Sequence, residues 1–172
     1  MEKRRLYGDA SLIEQLLAKM ELVETAAGGF AAVYKDPDTG AFWLKYYATA
    51  ATQGGGYLTL LKLPAPSTAE LINIAIFSNY EDEAVAAILR LLDEEAIEQK
   101  DFRQQLVEKL EGLQPVEDAQ KQRLVKVVKL SSLDDPMNRR ELLHKSKEQI
   151  QADANYFSAV AERARQLFRR LS

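Results

Sequence analysis

The feature that most constrains this chain is a change of rhythm at Leu63-Pro64-Ala65-Pro66. Upstream, apolar residues alternate with polar ones between clusters of glycine, proline and aspartate, the pattern of short half-buried strands. Downstream they recur at spacings of three and four, the pattern of helices. Proline brings no N–H to a ladder and biases the residue before it away from helix, so the prolines read as a boundary. The expectation is a small α+β lobe over 1–66 and a helical lobe over 67–172, together one cooperative domain of α+β class, mostly α. With 172 residues, 47% hydrophobic and 28% charged, the chain can build one substantial core but not two full domains in comfort.

The front lobe opens on a helix, because Leu12, Ile13, Leu16, Leu17 and Met20 share a face behind a capping Asp9 or Ser11. Strands are predicted at 22–26, 30–35 and 41–47, separated by Gly28-Gly29 and by Asp36-Pro37-Asp38-Thr39-Gly40, which makes a three-stranded meander. A fourth extended segment, 57–63, follows Gly54-Gly55-Gly56. Alternation along 41–47 puts Phe42, Leu44 and Tyr46 on one face and Trp43, Lys45 and Tyr47 on the other. If the first set faces the core, the second either points away from it or packs under the first helix.

In the back lobe Ser67-Thr68-Ala69-Glu70 is a capping box for a helix running to Phe77. Further helices are predicted at 81–96, at 101–113 with Gly112 and Pro115 as its stop, and at 116–130. Asp135-Pro136 reads as the cap and first-turn proline of a fifth, with His144 inside the helical run. Near the end Ile150, Ala154, Phe157, Ala161, Ala164, Phe168 and Leu171 form a heptad seam, which serves either internal packing or a homodimer. Arg163, Arg165, Arg169 and Arg170 crowd its last turns, where cations complement the helix macrodipole. A shift of 35 residues lays Leu71, Ile72, Ala75, Ala84, Leu89 and Leu92 on Leu106, Val107, Leu110, Ala119, Leu124 and Val127. On those positions residues 68–130 resemble HEAT or armadillo-like repeats, which implies two stacked antiparallel helical hairpins capped by the last helices.

Arithmetic limits the chemistry. With no cysteine and one histidine, His144, there are no disulfides and no set of nitrogen or sulfur ligands large enough for a structural metal. No Gly-x-Ser-x-Gly elbow is present. Asp36-Pro37-Asp38-Thr39-Gly40 fails as a calcium loop, since its glycine comes one place early and Tyr47 stands where a bidentate glutamate belongs, so it is a hairpin turn. No catalytic set and no cofactor are expected, although carboxylate chemistry stays open. No apolar run is long enough for a membrane span and no signal sequence is visible, so the expected location is the cytoplasm of a bacterial cell. The net charge of -3 is uneven: residues 67–100 hold Glu70, Glu81, Asp82, Glu83, Asp93, Glu94, Glu95 and Glu98 against Arg90 and Lys100. That region suits a basic protein partner and disfavours nucleic acid.

Two features suggest where a partner would bind. Tyr34, Phe42, Trp43, Tyr46, Tyr47 and Tyr57 lie close in sequence around the Gly54-Gly55-Gly56 loop, and outward-pointing tryptophan and tyrosine are typical interface anchors. The candidate binding residues are therefore Trp43, Lys45, Tyr47, Gly54, Gly55, Gly56, Tyr57, Glu81, Asp82 and Glu83. In its aromatic run, its glycine loop and the acids of 81–98, the chain resembles small bacterial immunity proteins, which implies a non-enzymatic module that neutralises a toxin by covering it. One alternative is a phosphate- or nucleotide-binding protein that uses the backbone amides of the glycine loop. Another is a structural homodimer joined through the C-terminal seam.

Overall fold

The structure, a computed structural model, describes residues 4–48, 56–115 and 117–171. These form an α+β fold, mostly helical, with one five-stranded antiparallel sheet. The elements run β1 (Leu6–Tyr7), α1 (Ala10–Leu17), β2 (Glu21–Thr25), β3 (Ala31–Lys35), β4 (Phe42–Ala48), β5 (Tyr57–Lys62), α2 (Thr68–Phe77), α3 (Glu81–Glu98), α4 (Arg103–Glu111), α5 (Asp118–Leu130) and α6 (Lys147–Leu171). The chain divides into two compact units, 1–93 and 94–172, and the division falls inside α3. The prolines at 64 and 66 mark the change from strand to helix, but α2 and the first turns of α3 belong to the same unit as the sheet.

In the first unit the sheet order is β1-β5-β4-β3-β2, the predicted meander with β5 and a two-residue β1 added along one side. The Asp36 to Gly40 segment is the expected β3–β4 hairpin turn: Gly40 donates to the Asp36 carbonyl at 2.8 Å with its φ at 75°. Both faces of the sheet carry buried residues. On one, Trp43 and Leu60 pack with Ile13 of α1, and Tyr7, Leu16, Leu17, Met20 and Leu58 close around them. On the other, Leu6, Tyr46, Ala48, Thr59 and Leu61 are buried, and the Arg90 guanidinium of α3 lies 5.3 Å from the centre of the Tyr46 ring. Capping follows the sequence, since Asp9 accepts from Leu12 N–H and Ser67 from Glu70 N–H.

The second unit packs α4, α5 and α6 around Phe102, Leu106, Val107, Leu110, Leu124, Val127, Val128, Phe157, Val160 and Leu167. The fifth helix does not start at Asp135. There the Asp135 carboxylate accepts from Met137 N–H and from Arg139, which turns the chain, and His144 lies in an exposed turn with φ at 63°. The helix starts instead at Lys147, where Ser146 and Gln149 exchange side-chain bonds with each other's N–H groups, a capping box. The heptad seam is internal. Phe157, Ala161 and Ala164 are buried, joined by Val160 and Leu167, and α6 contacts α4 and α5 of its own unit. A homodimer through that seam would need those contacts to be given up. The terminal arginines are likewise engaged, Arg163 with the Glu111 carboxylate and Arg170 with the Leu110, Glu111 and Leu113 carbonyls at the end of α4.

The centre of this unit holds a charge. Arg103 is 1% exposed; its Nε and Nη2 donate to the two oxygens of Glu95 at 2.5 and 2.9 Å, and its Nη1 to the Ser132 carbonyl at 3.1 Å. The rings of Phe102 and Phe157 lie against the guanidinium at 5.1 and 5.3 Å. Removing one partner of a buried, bidentate pair leaves the other charge desolvated and unmatched. Arg103→Ala should therefore cost about 3–5 kcal/mol, measured by urea unfolding followed by circular dichroism. A loss below about 1 kcal/mol, the range of exposed ion pairs, would show that the pair is solvated.

Candidate functional site

The residues picked from sequence do not form one surface. Trp43 is buried, 7% exposed, with its ring 5.6 Å from that of Tyr7, so it cannot anchor a partner. Of the two expectations for this face, packing under the first helix is the one realised at Trp43, which meets Ile13 of α1. Lys45 is half-buried and Tyr47 exposed on that same face, and Tyr57 is half-buried on the opposite one. Gly54 and Gly55 lie outside the described residues. Gly56 has φ at 69°, and a Cβ built there would stand 2.7 Å from the Cβ of Tyr47, so this glycine is required by the hairpin itself.

The acids that open α3 are engaged by β1. Glu83, 7% exposed, accepts through Oε2 from the N–H groups of Arg5 and Leu6 at 2.7 and 3.0 Å and through Oε1 from the Ser78 hydroxyl at 2.7 Å. Asp82 accepts from Gly8 N–H at 3.0 Å and from Arg4 at 2.5 Å. The Arg4 guanidinium sits between the Tyr7 and Tyr80 rings, 4.1 and 4.3 Å from their centres. A Cβ at Gly8 would come within 2.8 Å of the Asp82 carbonyl, so β1 and α3 approach as closely as a glycine permits. Of the three acids only Glu81 stays exposed. Two of the three acids, Asp82 and Glu83, are thus engaged in a structural clasp with β1.

That clasp makes an open edge at the far side of the sheet informative. Glu21–Thr25 is the other edge strand, exposed along its whole length, and among the described residues nothing pairs with its outer side. Leu22 is 59% and Val23 53% exposed, and Phe30, just past the β2–β3 turn, is 76% exposed. The turn leaves room for the Phe30 ring: Gly28 has φ at 84°, and a Cβ there would stand 2.9 Å from that ring. Sequence reading placed β2 and β3 correctly but gave no reason to ask which strand would be last in the sheet. The signal available was Leu22-Val23, two adjacent apolar residues in a short strand, with Phe30 as a further apolar residue beyond the Gly28-Gly29 turn.

Other sites are weaker. A groove of about 220 Å³ beside Arg4, Arg5, Ile74, Phe77 and Tyr80 is smaller than the roughly 300–1,000 Å³ of ordinary ligand pockets, and two larger ones, about 370 Å³ by Lys121 and Val125 and about 480 Å³ by Gln151 and Asn155, are shallow and open to solvent. Among the described residues no group of three or more histidines, aspartates or glutamates could hold a metal ion, and no helix is long and apolar enough to cross a membrane. Comparison with protein-family models, with curated proteins and with solved structures returns no match.

Two outcomes check this geometry. Burial raises the Asp82 pKa, but the Gly8 N–H and Arg4 outweigh it and hold the carboxyl below its usual value of 3.8. A depressed folded pKa gives stability that is complete above the unfolded value and is lost as pH falls through the folded one. Melting temperature should therefore drop as pH is lowered below about 4, and Asp82→Asn should lower it at neutral pH and flatten that acid limb. An unchanged limb would mean that the clasp does not carry the dependence. Separately, among the described residues the indole N–H of Trp43 has no hydrogen-bond partner. Trp43→Phe should then be mild, whereas Trp43→Ala should cost about 3–5 kcal/mol; equal effects in thermal melts would contradict the buried placement.

Proposed function

We propose that this protein is a non-enzymatic protein-interaction module that takes an extended segment of a partner chain onto the outer edge of β2. The observation that carries the reading is the asymmetry of the sheet. One edge has its amides bonded by the carboxylates of Asp82 and Glu83, whereas the other presents Leu22, Val23 and Phe30 to solvent. An edge strand offers a row of main-chain donors and acceptors, so added strands gain affinity from backbone bonds and specificity from alternate side chains. Leu22 and Val23, exposed and adjacent in that strand, add apolar side chains to the row. The reading keeps the kind of function implied by the resemblance to small immunity proteins, recognition by covering, and moves the surface from Trp43 and the α3 acids to β2.

The test is to select binders from a displayed library of random linear peptides and to map them by amide hydrogen exchange. Selected peptides should slow exchange at Glu21–Thr25 and should lose at least about tenfold in affinity against a Leu22→Arg, Phe30→Ser double variant, the cost of removing two apolar anchors. Both side chains are exposed, so the variant should melt within a few degrees of the parent. Protection elsewhere on the chain, with β2 unchanged, would exclude this edge.

A further inference from the structure

We infer that the segment taken by β2 alternates basic, apolar and basic residues, with both bases on the sheet face of Glu21 and Glu24. The inference rests on the edge reading above and adds the chemistry of the occupant. Glu21 pairs with Lys35 and Leu22 with Tyr34, but the next pairs are Glu24 with Val33 and Thr25 with Ala32, so Val23 is an extra residue in a bulge. Directly paired residues on neighbouring strands project from the same face, and successive residues from opposite faces. Without the bulge, Glu21 and Glu24 would lie on opposite faces, being three apart. With it, both lie on the face of Lys35 and Val33, while Leu22 lies on the face of Tyr34 and Trp43.

The outer edge therefore has a simple code. Leu22 is the solvent end of a row that runs inward through Tyr34 and Trp43 to Lys62. A residue set beside Leu22 by an added antiparallel strand would extend that row and should be apolar. Its two neighbours in sequence point to the other face, one beside Glu21 and one beside Glu24. The chain shows the arrangement on the inner side of β2, where Lys35 is the cross-strand neighbour of Glu21 and Tyr34 that of Leu22. A second copy of β2 fits this code poorly. Antiparallel pairing of two such edges would collect Glu21 and Glu24 from both copies on one face of the joined sheet, and like charges across strands are destabilising. An extended basic and apolar segment of a different protein is the occupant that the charges favour.

Three synthetic peptides of equal length separate the outcomes: one built on Lys-Val-Lys, one on Glu-Val-Glu and one on Lys-Ser-Lys, each titrated into the full chain while the backbone amides are followed by NMR. The Lys-Val-Lys peptide should shift Glu21–Thr25 and bind roughly tenfold more tightly than either of the others. That margin over Glu-Val-Glu should shrink in about 1 M salt and disappear in a Glu21→Gln, Glu24→Gln double variant, whose exposed substitutions leave the fold intact. Equal shifts at β2 from all three peptides would overturn the charge code and leave the edge reading standing. No shift at β2 from any of them would overturn both. A dimer in sedimentation, with β2 amides protected in the absence of peptide, would overturn the inference in favour of a second copy.

Discussion

One buried carboxylate decides how this sheet meets its surroundings. Glu83 reaches from the first turn of α3 to the amides of Arg5 and Leu6, and Asp82 beside it takes the amide of Gly8. Leu6 and Gly8 are two residues apart, so their N–H groups share the side of β1 that faces away from β5. Without these acceptors a two-residue strand would leave polar groups unpaired next to a side chain that is wholly buried, Leu6. Charge-assisted bonds of this kind are among the strong ones, and here they stand in for a missing sixth strand. The helix gains as well, because negative charge in its first turn opposes the positive end of its dipole. The same residues close the β1 edge, hold α3 to β1, and leave the opposite edge as the place where the sheet can still grow.

The sequence reading located most elements because their signals were local. Asp9, Ser67 and the segment from Asp36 to Gly40 cap or turn the chain where their side chains dictate. It failed where two local signals competed or where none existed. Asp135-Pro136 and Ser146-Lys147-Glu148-Gln149 both look like helix starts, but only the second can make the reciprocal pair of bonds. Asp135 spends its two oxygens on Met137 and Arg139 instead. Strand β1 is too short to show any period. The inward Trp43 follows from a sheet covered on both faces, where alternation no longer separates core from surface. The acids at 81–83 were legible as a helix start but not as a clasp, because the partners of Asp82 and Glu83 are main-chain amides some 75 residues upstream, and main-chain donors leave no mark in a side-chain pattern.

Helical spacing was equally informative about burial and less so about architecture. Of the six pairs related by a shift of 35, five are buried at both positions; the exception is Ala84, which is buried while Ala119 is exposed. Shared burial at that interval is what amphipathic helices of similar spacing produce. What individualises the second unit has no counterpart in the shift. Arg103 falls on Thr68, and only the arginine builds a bidentate bond to a carboxylate between two aromatic rings. A buried ion pair is a poor source of net stability compared with an apolar pair of the same volume, but it is intolerant of a changed register. In this unit it ties Glu95, the start of α4, the turn at Ser132 and α6 to a single arrangement.

The bulge at Val23 connects fold to recognition. Bulges and charged residues are the usual means by which exposed edges avoid pairing with their own kind, since they twist the strand and penalise a like-charged neighbour. β2 has both, and on those grounds alone it could be an edge built only for protection. Protection does not call for Leu22 at the end of an aromatic row, nor for an exposed Phe30 next to the β2–β3 turn. The same bulge that disfavours self-pairing also moves Glu24 onto the face of Glu21, which a regular strand could not do at a spacing of three. Avoiding one occupant and specifying another are thus consequences of one inserted residue, as expected when specificity is a difference between affinities and not the strength of one contact.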